Sequence, residues 1–164
     1  MESALATPAT GTRFLRFSVG LAEQALLSVD HIQDVFPLVI GEILPMPEVA
    51  TAVMGLYNRR GSILWLVDLG YLLGSPPVAT HSATTSGSLM TITLDVDQQG
   101  LGLVVPQVQD IEWQDPQAIQ SELRGVFTPE VAQFLQGYLV DADASILMVL
   151  DPLALLQSNQ WQSI

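Results

Sequence analysis

Short apolar segments separated by polar turns dominate the chain. Phe14, Leu15 and Phe17 mark a first strand, and a second strand follows at residues 25–29 after a turn at residues 20–24. Residues 62–67, SILWLV, form a continuous apolar run, which is typical of a strand buried on both faces. The pattern therefore predicts a mainly β protein.

Helical signals are few and short. Asp68 is placed to cap a helical turn that ends at Gly74, and Asp151 followed by Pro152 predicts a C-terminal helix. Residues 117–135 form a more helical tract, although Gly125 and Pro129 interrupt it. Residues 50–56 suggest a short turn or the end of a helix before the next strand.

Polar, turn-forming stretches set the expected boundaries. Residues 1–12 are small and polar and predict a disordered leader, and residues 75–88 are rich in Pro, Ser, Thr and Gly, which is typical of a linker. Residues 158–164 form a polar tail. We therefore expect one domain over residues 13–157.

Two blocks of sequence recur in the same order, which suggests an internal duplication. Ser-Ile-Leu at residues 62–64 returns at 145–147, and Asp68 returns as Asp151, both 83 positions later (145 − 62 and 151 − 68). Ile-Gln-Asp-Val at residues 32–35 resembles Val-Gln-Asp-Ile at 108–111. The repeat predicts two related β-barrels, at about residues 13–74 and 89–157, each closing its own edges. Chance similarity between two β-rich segments is the alternative.

Composition and charge exclude several classes of partner. Hydrophobic residues make up 49% of the chain, and five basic against 17 acidic residues give a net charge of −12. Such a molecule repels phosphate backbones and anionic lipid, so we expect no nucleic-acid partner. No apolar run reaches the roughly 18 residues of a membrane helix, so we expect no membrane insertion. The absence of cysteine and of a signal-peptide pattern predicts a cytoplasmic location.

Residues that could support catalysis do not cluster. His31 and His81 lie far apart and outside any zinc-binding spacing. The acidic pairs at positions 95 and 97 and at 141 and 143 are typical of hairpin turns, with a weak calcium site as the alternative. We therefore predict no catalytic residues, no metal and no cofactor. The competing hypothesis is a small acidic β-barrel enzyme or ligand-binding module that uses a cleft between the barrels.

Two of the five arginines of this lysine-free chain are adjacent. Arg59 and Arg60 lie between Asn58 and Gly61, directly before the apolar run. The surrounding segment GLYNRRGSILWLVDL, residues 55–69, resembles the signature G-x-x-N-L-R-G-x-x-x-P-V-x-D-L of CheW-like domains. The opening FLRFSVG, the later GLVVPQVQDI and the final SILMVLDPLALL are also similar to that family, so the resemblance covers about residues 13–157.

The resemblance implies a fold and a function. CheW-like proteins comprise two SH3-like five-stranded β-barrels with short helices, including a C-terminal one, and a groove between the barrels. They are adaptors without catalytic activity. The expected partners are the regulatory domain of a CheA-type histidine kinase and the cytoplasmic tip of a methyl-accepting receptor. The pathway would control motility through chemotaxis, type IV pilus twitching or phototaxis. A regulatory decoy that binds the kinase but no receptor is an alternative within the family.

The resemblance also assigns a partner-binding site in the inter-barrel groove. The residues at the corresponding positions are Ile32, Asp34, Gly55, Asn58, Arg59, Arg60 and Gly61. We expect Arg60 and Asp34 to pair across the groove, because a guanidinium can satisfy a carboxylate and still reach a second acceptor. The pair could instead hold the barrels together without touching a partner.

Four positions depart from the family pattern. They are Asp34 for glutamate, Arg59 for leucine, Trp65 for proline and Gly70 for arginine. An arginine at a leucine position is expected to be a solvated surface residue. Of the tryptophans, Trp113 is expected in the core or at a barrel rim rather than as a binding anchor, and Trp161 is either an unordered tail residue or a partner anchor.

Overall fold

A computed structural model describes residues 11–20, 22–77, 88–96 and 99–158, without the side chains of residues 95, 96 and 99. The strands of this part of the chain are β1 Thr12–Ser18, β2 Gln24–Ser28, β3 Ile32–Pro37, β4 Val53–Arg59, β5 Ser62–Asp68, β6 Met90–Val96, β7 Gln99–Val105, β8 Gln107–Gln114, β9 Leu135–Val140 and β10 Ile146–Leu150. The helices are α1 Leu69–Leu72, α2 Pro129–Ala132 and α3 Pro152–Leu156, with 3₁₀ turns at Val29–His31, Ile40–Glu42 and Pro116–Ala118.

The strands form two five-stranded sheets, which confirms the mainly β fold. The first sheet has the order β8-β1-β2-β10-β9 and the second has the order β3-β6-β7-β5-β4. Neither sheet closes by hydrogen bonding between its outermost strands: β8 and β9 end the first sheet, and β3 and β4 end the second. The expectation that each barrel closes its own edges was therefore wrong.

The sheets do not follow the two halves of the sequence. The second sheet contains β3 to β7, whereas the first takes β1 and β2 from the start of the chain and β8 to β10 from its end. The stretch at residues 75–88 lies between β5 and β6 of the same sheet. Barrels at residues 13–74 and 89–157 therefore do not describe how the strands pair.

The repeated sequences nevertheless occupy equivalent places. The related segments at 32–35 and 108–111 lie in β3 and β8, each at the edge of its sheet, and the two Ser-Ile-Leu segments lead into β5 and β10. Each sheet contains one parallel pair, β2 with β10 and β5 with β7. A short helix follows each of β5 and β10, capped by the side chain of Asp68 or Asp151, as predicted. The two sheets thus repeat one strand arrangement.

Three apolar clusters hold the sheets together. The largest takes buried residues from both sheets, among them Phe17, Leu27, Val67 and Leu103. The second sheet curls around its own cluster, which includes Phe36 and Leu66, and the first sheet curls around a smaller one. Leu66 and Val67 point to different clusters because side chains alternate along a strand. This confirms that β5 is buried on both faces, apart from the exposed Ile63 near its start.

Two local predictions were wrong. Residues 53–59 form β4 rather than a turn or helix end, with a register shift between Val53 and Gly55. The tract at 117–135 is mostly irregular and contains the end of the 3₁₀ turn Pro116–Ala118 and one α-helix, α2, which begins at Pro129. Proline fits the first turn of a helix, so Pro129 starts a helix here rather than continuing one.

Other predicted segments fall largely outside the described residues. These are most of the leader, residues 78–87 of the linker and residues 159–164 of the tail, whereas Thr12 already belongs to β1. Within the described part, no helix has the length and apolarity that crossing a bilayer requires.

Candidate functional site

The two arginines lie at the tip of a tight hairpin, residues 58–61, which we call the arginine hairpin. Arg59 pairs with Ser62, so Arg60 and Gly61 form a two-residue loop between β4 and β5. Their φ angles are +53° and +88°, as a type I′ turn requires at both central positions. The Asn58 side chain accepts a hydrogen bond of 2.9 Å from the Gly61 N–H. Asn58 and Gly61 therefore favour this turn.

Arg59, rather than Arg60, pairs with Asp34. The Arg59 Nε donates to Asp34 Oδ2 at 3.1 Å, and the side chains are 28% and 35% exposed. The Arg59 guanidinium also lies 4.1 Å from the ring centroid of Phe36, a cation–π contact. The predicted Arg60–Asp34 pair and the predicted solvated Arg59 were both wrong, because the turn carries Arg60 beyond the strand and leaves Arg59 over the sheet.

The surface beneath Arg59 is fixed by further contacts. The Phe36 ring stacks on Tyr57 with centroids 5.8 Å apart and planes 17° from parallel, and both residues are buried. The Tyr57 hydroxyl donates to Glu42 at 3.3 Å. Arg59 therefore rests on a buried, stacked aromatic pair.

The ion pair joins the two edges of one sheet, not two barrels. Asp34 lies on β3 and Arg59 on β4, which are the outermost strands of the second sheet. The Thr93 hydroxyl on β6 donates to the Asp34 carbonyl at 3.2 Å. A cavity of about 330 Å³ opens here, lined by Gln33, Asp34, Arg59, Arg60, Ser62, Leu64 and Thr93.

Arg60 contrasts with its neighbour. Arg60 is exposed, and no hydrogen bond, ion pair or ring contact joins its guanidinium to any part of the chain that the structure describes. It also occupies the left-handed region, which costs a non-glycine residue on the order of 1 kcal/mol. Arg60 is thus a strained residue with a free cation at the mouth of the cavity.

Gly55 and Ile32 have structural positions. A Cβ at Gly55, whose φ is +140°, would overlap the Leu44 carbonyl oxygen, because the β3–β4 connection crosses β4 there. Gly137 repeats this crossing on β9, where a Cβ would overlap the Gln120 carbonyl oxygen. Ile32 is half-buried and packs against the large cluster. The structure thus brings Asp34 and residues 58–61 together, whereas Gly55 serves the fold.

A second arginine–carboxylate site in the first sheet was missed by sequence reasoning. Arg16 on β1 donates from Nη2 to Asp141 at 2.8 Å and from Nε to Gln24 at 2.8 Å, and lies 3.6 Å from Glu112. The hydrogen bond to Asp141 raises the pKa of Arg16, and the same bond lowers the pKa of Asp141. Glu112 lies on the edge strand β8 and Asp141 directly follows the other edge strand, β9, so this site also links the edges of a sheet. Only the rarity of arginine signalled it.

The remaining candidates lie elsewhere. His31 ends a 3₁₀ turn and is half-buried, and Trp113 is 44% exposed on the edge strand β8, with Arg13 5.8 Å from its ring. His81, Trp161 and the side chains at positions 95 and 97 lie outside the described residues. Among the residues that are described, no group of three His, Asp or Glu side chains could hold a metal ion.

Comparison with known proteins establishes the family. The family model of the CheW-like domain matches residues 13–160, so the chain belongs to the CheW-like family. The fold is similar to that of the scaffolding protein TtCheW from Thermoanaerobacter tengcongensis. The two share 21% sequence identity with a TM-score of 0.71, and the match covers 91% of this chain and 94% of that one. No curated protein matches the chain.

Proposed function

We propose that this protein is a non-catalytic, cytoplasmic adaptor that couples a CheA-type histidine kinase to chemoreceptor-like sensors in a motility pathway. The observation that carries the proposal is the family match over nearly the whole chain. The name of the structurally similar scaffolding protein agrees with it. The proposed partners are the regulatory domain of the kinase and the cytoplasmic tip of a receptor.

The proposed docking element is the arginine hairpin together with the adjacent part of β3. Arg59 and Asp34 fix the hairpin against the edge of the second sheet, and Arg60 projects from it. A hairpin of defined backbone with an exposed arginine suits protein recognition, because little backbone freedom remains to be lost on binding.

The test is a binding measurement with purified protein. We expect the wild type to bind both the kinase regulatory domain and a receptor cytoplasmic fragment, and Arg60→Glu to weaken at least one interaction without lowering the melting temperature. Equal loss of binding and stability would assign Arg60 a structural role. Absence of both interactions in the wild type would overturn the adaptor proposal.

Measuring the affinity for the kinase and the affinity for the receptor separately distinguishes an adaptor from a decoy. An adaptor binds kinase and receptor at once, whereas a decoy binds the kinase alone. The ligand-binding alternative would use the cavity beside Arg59, and it predicts a small molecule that binds the wild type when neither protein partner does.

A further inference from the structure

We propose that Arg60 determines the binding specificity of the arginine hairpin by binding an aspartate or glutamate side chain of the partner protein. This inference rests on the proposed function and names the chemistry that the site recognises. Arg60 is available for this contact because Arg59, at a position where the family pattern has leucine, has taken the pairing with Asp34.

Both carboxylate oxygens of Asp34 accept a hydrogen bond without Arg60. Oδ2 accepts from Arg59 Nε at 3.1 Å, and Oδ1 accepts from the Val35 backbone N–H at 2.9 Å. Leucine at position 59 would offer Asp34 no positive charge. The Asp34 carboxylate would then compete with the partner's carboxylate for Arg60. Arginine in place of the family's leucine at position 59 therefore separates two roles. Arg59 pairs with Asp34 at the edge of the sheet, and Arg60 faces outward.

The conformation of Arg60 supports a role in binding. A type I′ turn favours asparagine or glycine at its first central position, yet arginine stands there at φ +53°. Strained residues of this kind persist where the surrounding structure holds them, and they concentrate at binding sites. The turn fixes the direction of the Cα–Cβ bond of Arg60, and so the side of the hairpin from which its side chain leaves.

The local charge selects an acidic partner group. Two arginines and one aspartate line the cavity, so the site carries a net positive charge on a molecule of net charge −12. The charge of Arg59 is neutralised by Asp34, so the unbalanced charge is that of Arg60. A guanidinium binds a carboxylate through two parallel hydrogen bonds, and the cavity also offers Ser62, Thr93 and Gln33 as polar neighbours.

The lysine-free sequence allows a direct test. Arg60→Lys introduces the only lysine side chain in the protein, and a carbodiimide joins an amine to a carboxylate only where the two are in contact. The matched control is Arg124→Lys, since the side chain of Arg124 is 91% exposed and lies outside the hairpin. Each variant is mixed with the kinase regulatory domain and a receptor fragment, treated with the carbodiimide and analysed by mass spectrometry.

We expect the side-chain amine introduced at position 60 to cross-link to an Asp or Glu of one partner, and the amine introduced at position 124 to give no such product. We also expect Arg60→Gln to raise the Kd roughly tenfold and to reduce the weakening of binding by added salt. Arg59→Leu should weaken binding too, because it frees Asp34 to compete for Arg60.

Three results would overturn the inference while leaving the adaptor proposal intact. The first is that both lysine variants bind the partner but no cross-link forms at position 60. The second is that Arg60→Gln has the Kd and salt dependence of the wild type. The third is that Arg59→Leu binds the partner as the wild type does. Failure of the wild type to bind either partner would instead overturn the proposed function.

Discussion

Arg59 and Arg60 are neighbours in one hairpin, but their surroundings differ. Arg59 is half-buried between Asp34 and the ring of Phe36, whereas Arg60 is exposed beyond the end of the strand. The reason is the turn, which places one arginine at the last ladder position and the other at a left-handed loop position. Substitutions at the two positions should therefore affect different properties.

Arg59→Leu should lower the free energy of unfolding by about 1–2 kcal/mol, because it removes a partly exposed ion pair and a cation–π contact that each contribute up to about 1 kcal/mol. Urea unfolding monitored by tryptophan fluorescence measures this. Arg124→Leu is the control, since its pair with Glu122 is exposed and should leave the midpoint unchanged. Equal midpoints for wild type and Arg59→Leu would show that the Arg59 contacts do not stabilise the fold.

Arg60→Asn should raise the free energy of unfolding by about 0.5–1 kcal/mol, because asparagine tolerates the left-handed conformation better than arginine does. It should also weaken partner binding. Ala144→Asn is the matched control: Ala144 has φ +66° in a turn between β9 and β10, so this change should raise stability and leave binding unchanged. A fall in stability for Arg60→Asn would contradict the proposed strain.

Which arginine meets Asp34 could not be decided from the sequence. The resemblance points to Arg60, because it occupies the arginine position of the signature. The outcome depends on the length of the loop, and a two-residue turn places position 59 at the end of the ladder. Asn58 and Gly61 are compatible with such a turn, but the pairing also requires β3 and β4 to approach each other, which no local pattern records.

Among the strands, β4 and β9 share a glycine at which a connecting segment crosses closely. Gly55→Ala and Gly137→Ala should each destabilise the fold by roughly 2–4 kcal/mol, since each added Cβ would overlap a carbonyl oxygen of the crossing segment. Thermal or urea unfolding measures the loss. The control is Gly41→Ala, where a Cβ meets no atom within 4 Å. Stability close to wild type in either strand variant would contradict the crossing geometry.

The Arg16 site makes the stability of the first sheet depend on pH. Arg16 lowers the pKa of Asp141, so the ionised carboxylate stabilises the folded state above the usual aspartate pKa of about 3.9. This contribution is lost as the pH falls through the lowered pKa. Arg16→Gln should therefore be less stable than wild type at pH 7, with the difference shrinking below about pH 4.

Urea midpoints measured from about pH 7 to about pH 2.5 test this dependence. Arg13→Gln removes the same charge from the same strand, but the described contact of Arg13 is with the ring of Trp113. The difference in urea midpoint between Arg13→Gln and wild type should stay nearly constant with pH. A difference for Arg16→Gln that does not shrink in acid would contradict the role given to Asp141.

The elements that the sequence predicted best carry local signals. The helices α1 and α3 begin where Asp68 and Asp151 act as caps, and the apolar run at 62–67 forms β5. The strand β4 was missed because Gly55 and a register shift interrupt its pattern. The tract after Pro116 was wrongly predicted as helical because its composition favours helix, whereas its backbone follows the edge of β9 through the Gln120–Tyr138 bridge.

The whole molecule combines two equivalent sheets that do not correspond to the two halves of the sequence. The first sheet takes strands from both ends of the chain, and the second takes β3 to β7 from the middle. The repeat revealed which strands correspond, and this equivalence is confirmed by the matching sheet orders. It could not reveal that β1 and β2 pair with β8 and β10 instead of with β3 to β5, because that choice depends on long-range packing. The resulting shared core explains why almost half of the chain is hydrophobic.

Coupling of a kinase to a receptor can be measured by co-sedimentation. Receptor cytoplasmic fragments assembled on vesicles are mixed with the CheA-type kinase, with and without this protein, and pelleted. If the protein is an adaptor, the kinase enters the pellet only when the protein is present, and Arg60→Glu reduces the amount of kinase in the pellet. Kinase that pellets equally without the protein, or that stays in solution when the protein is present, would show that the protein does not couple the two.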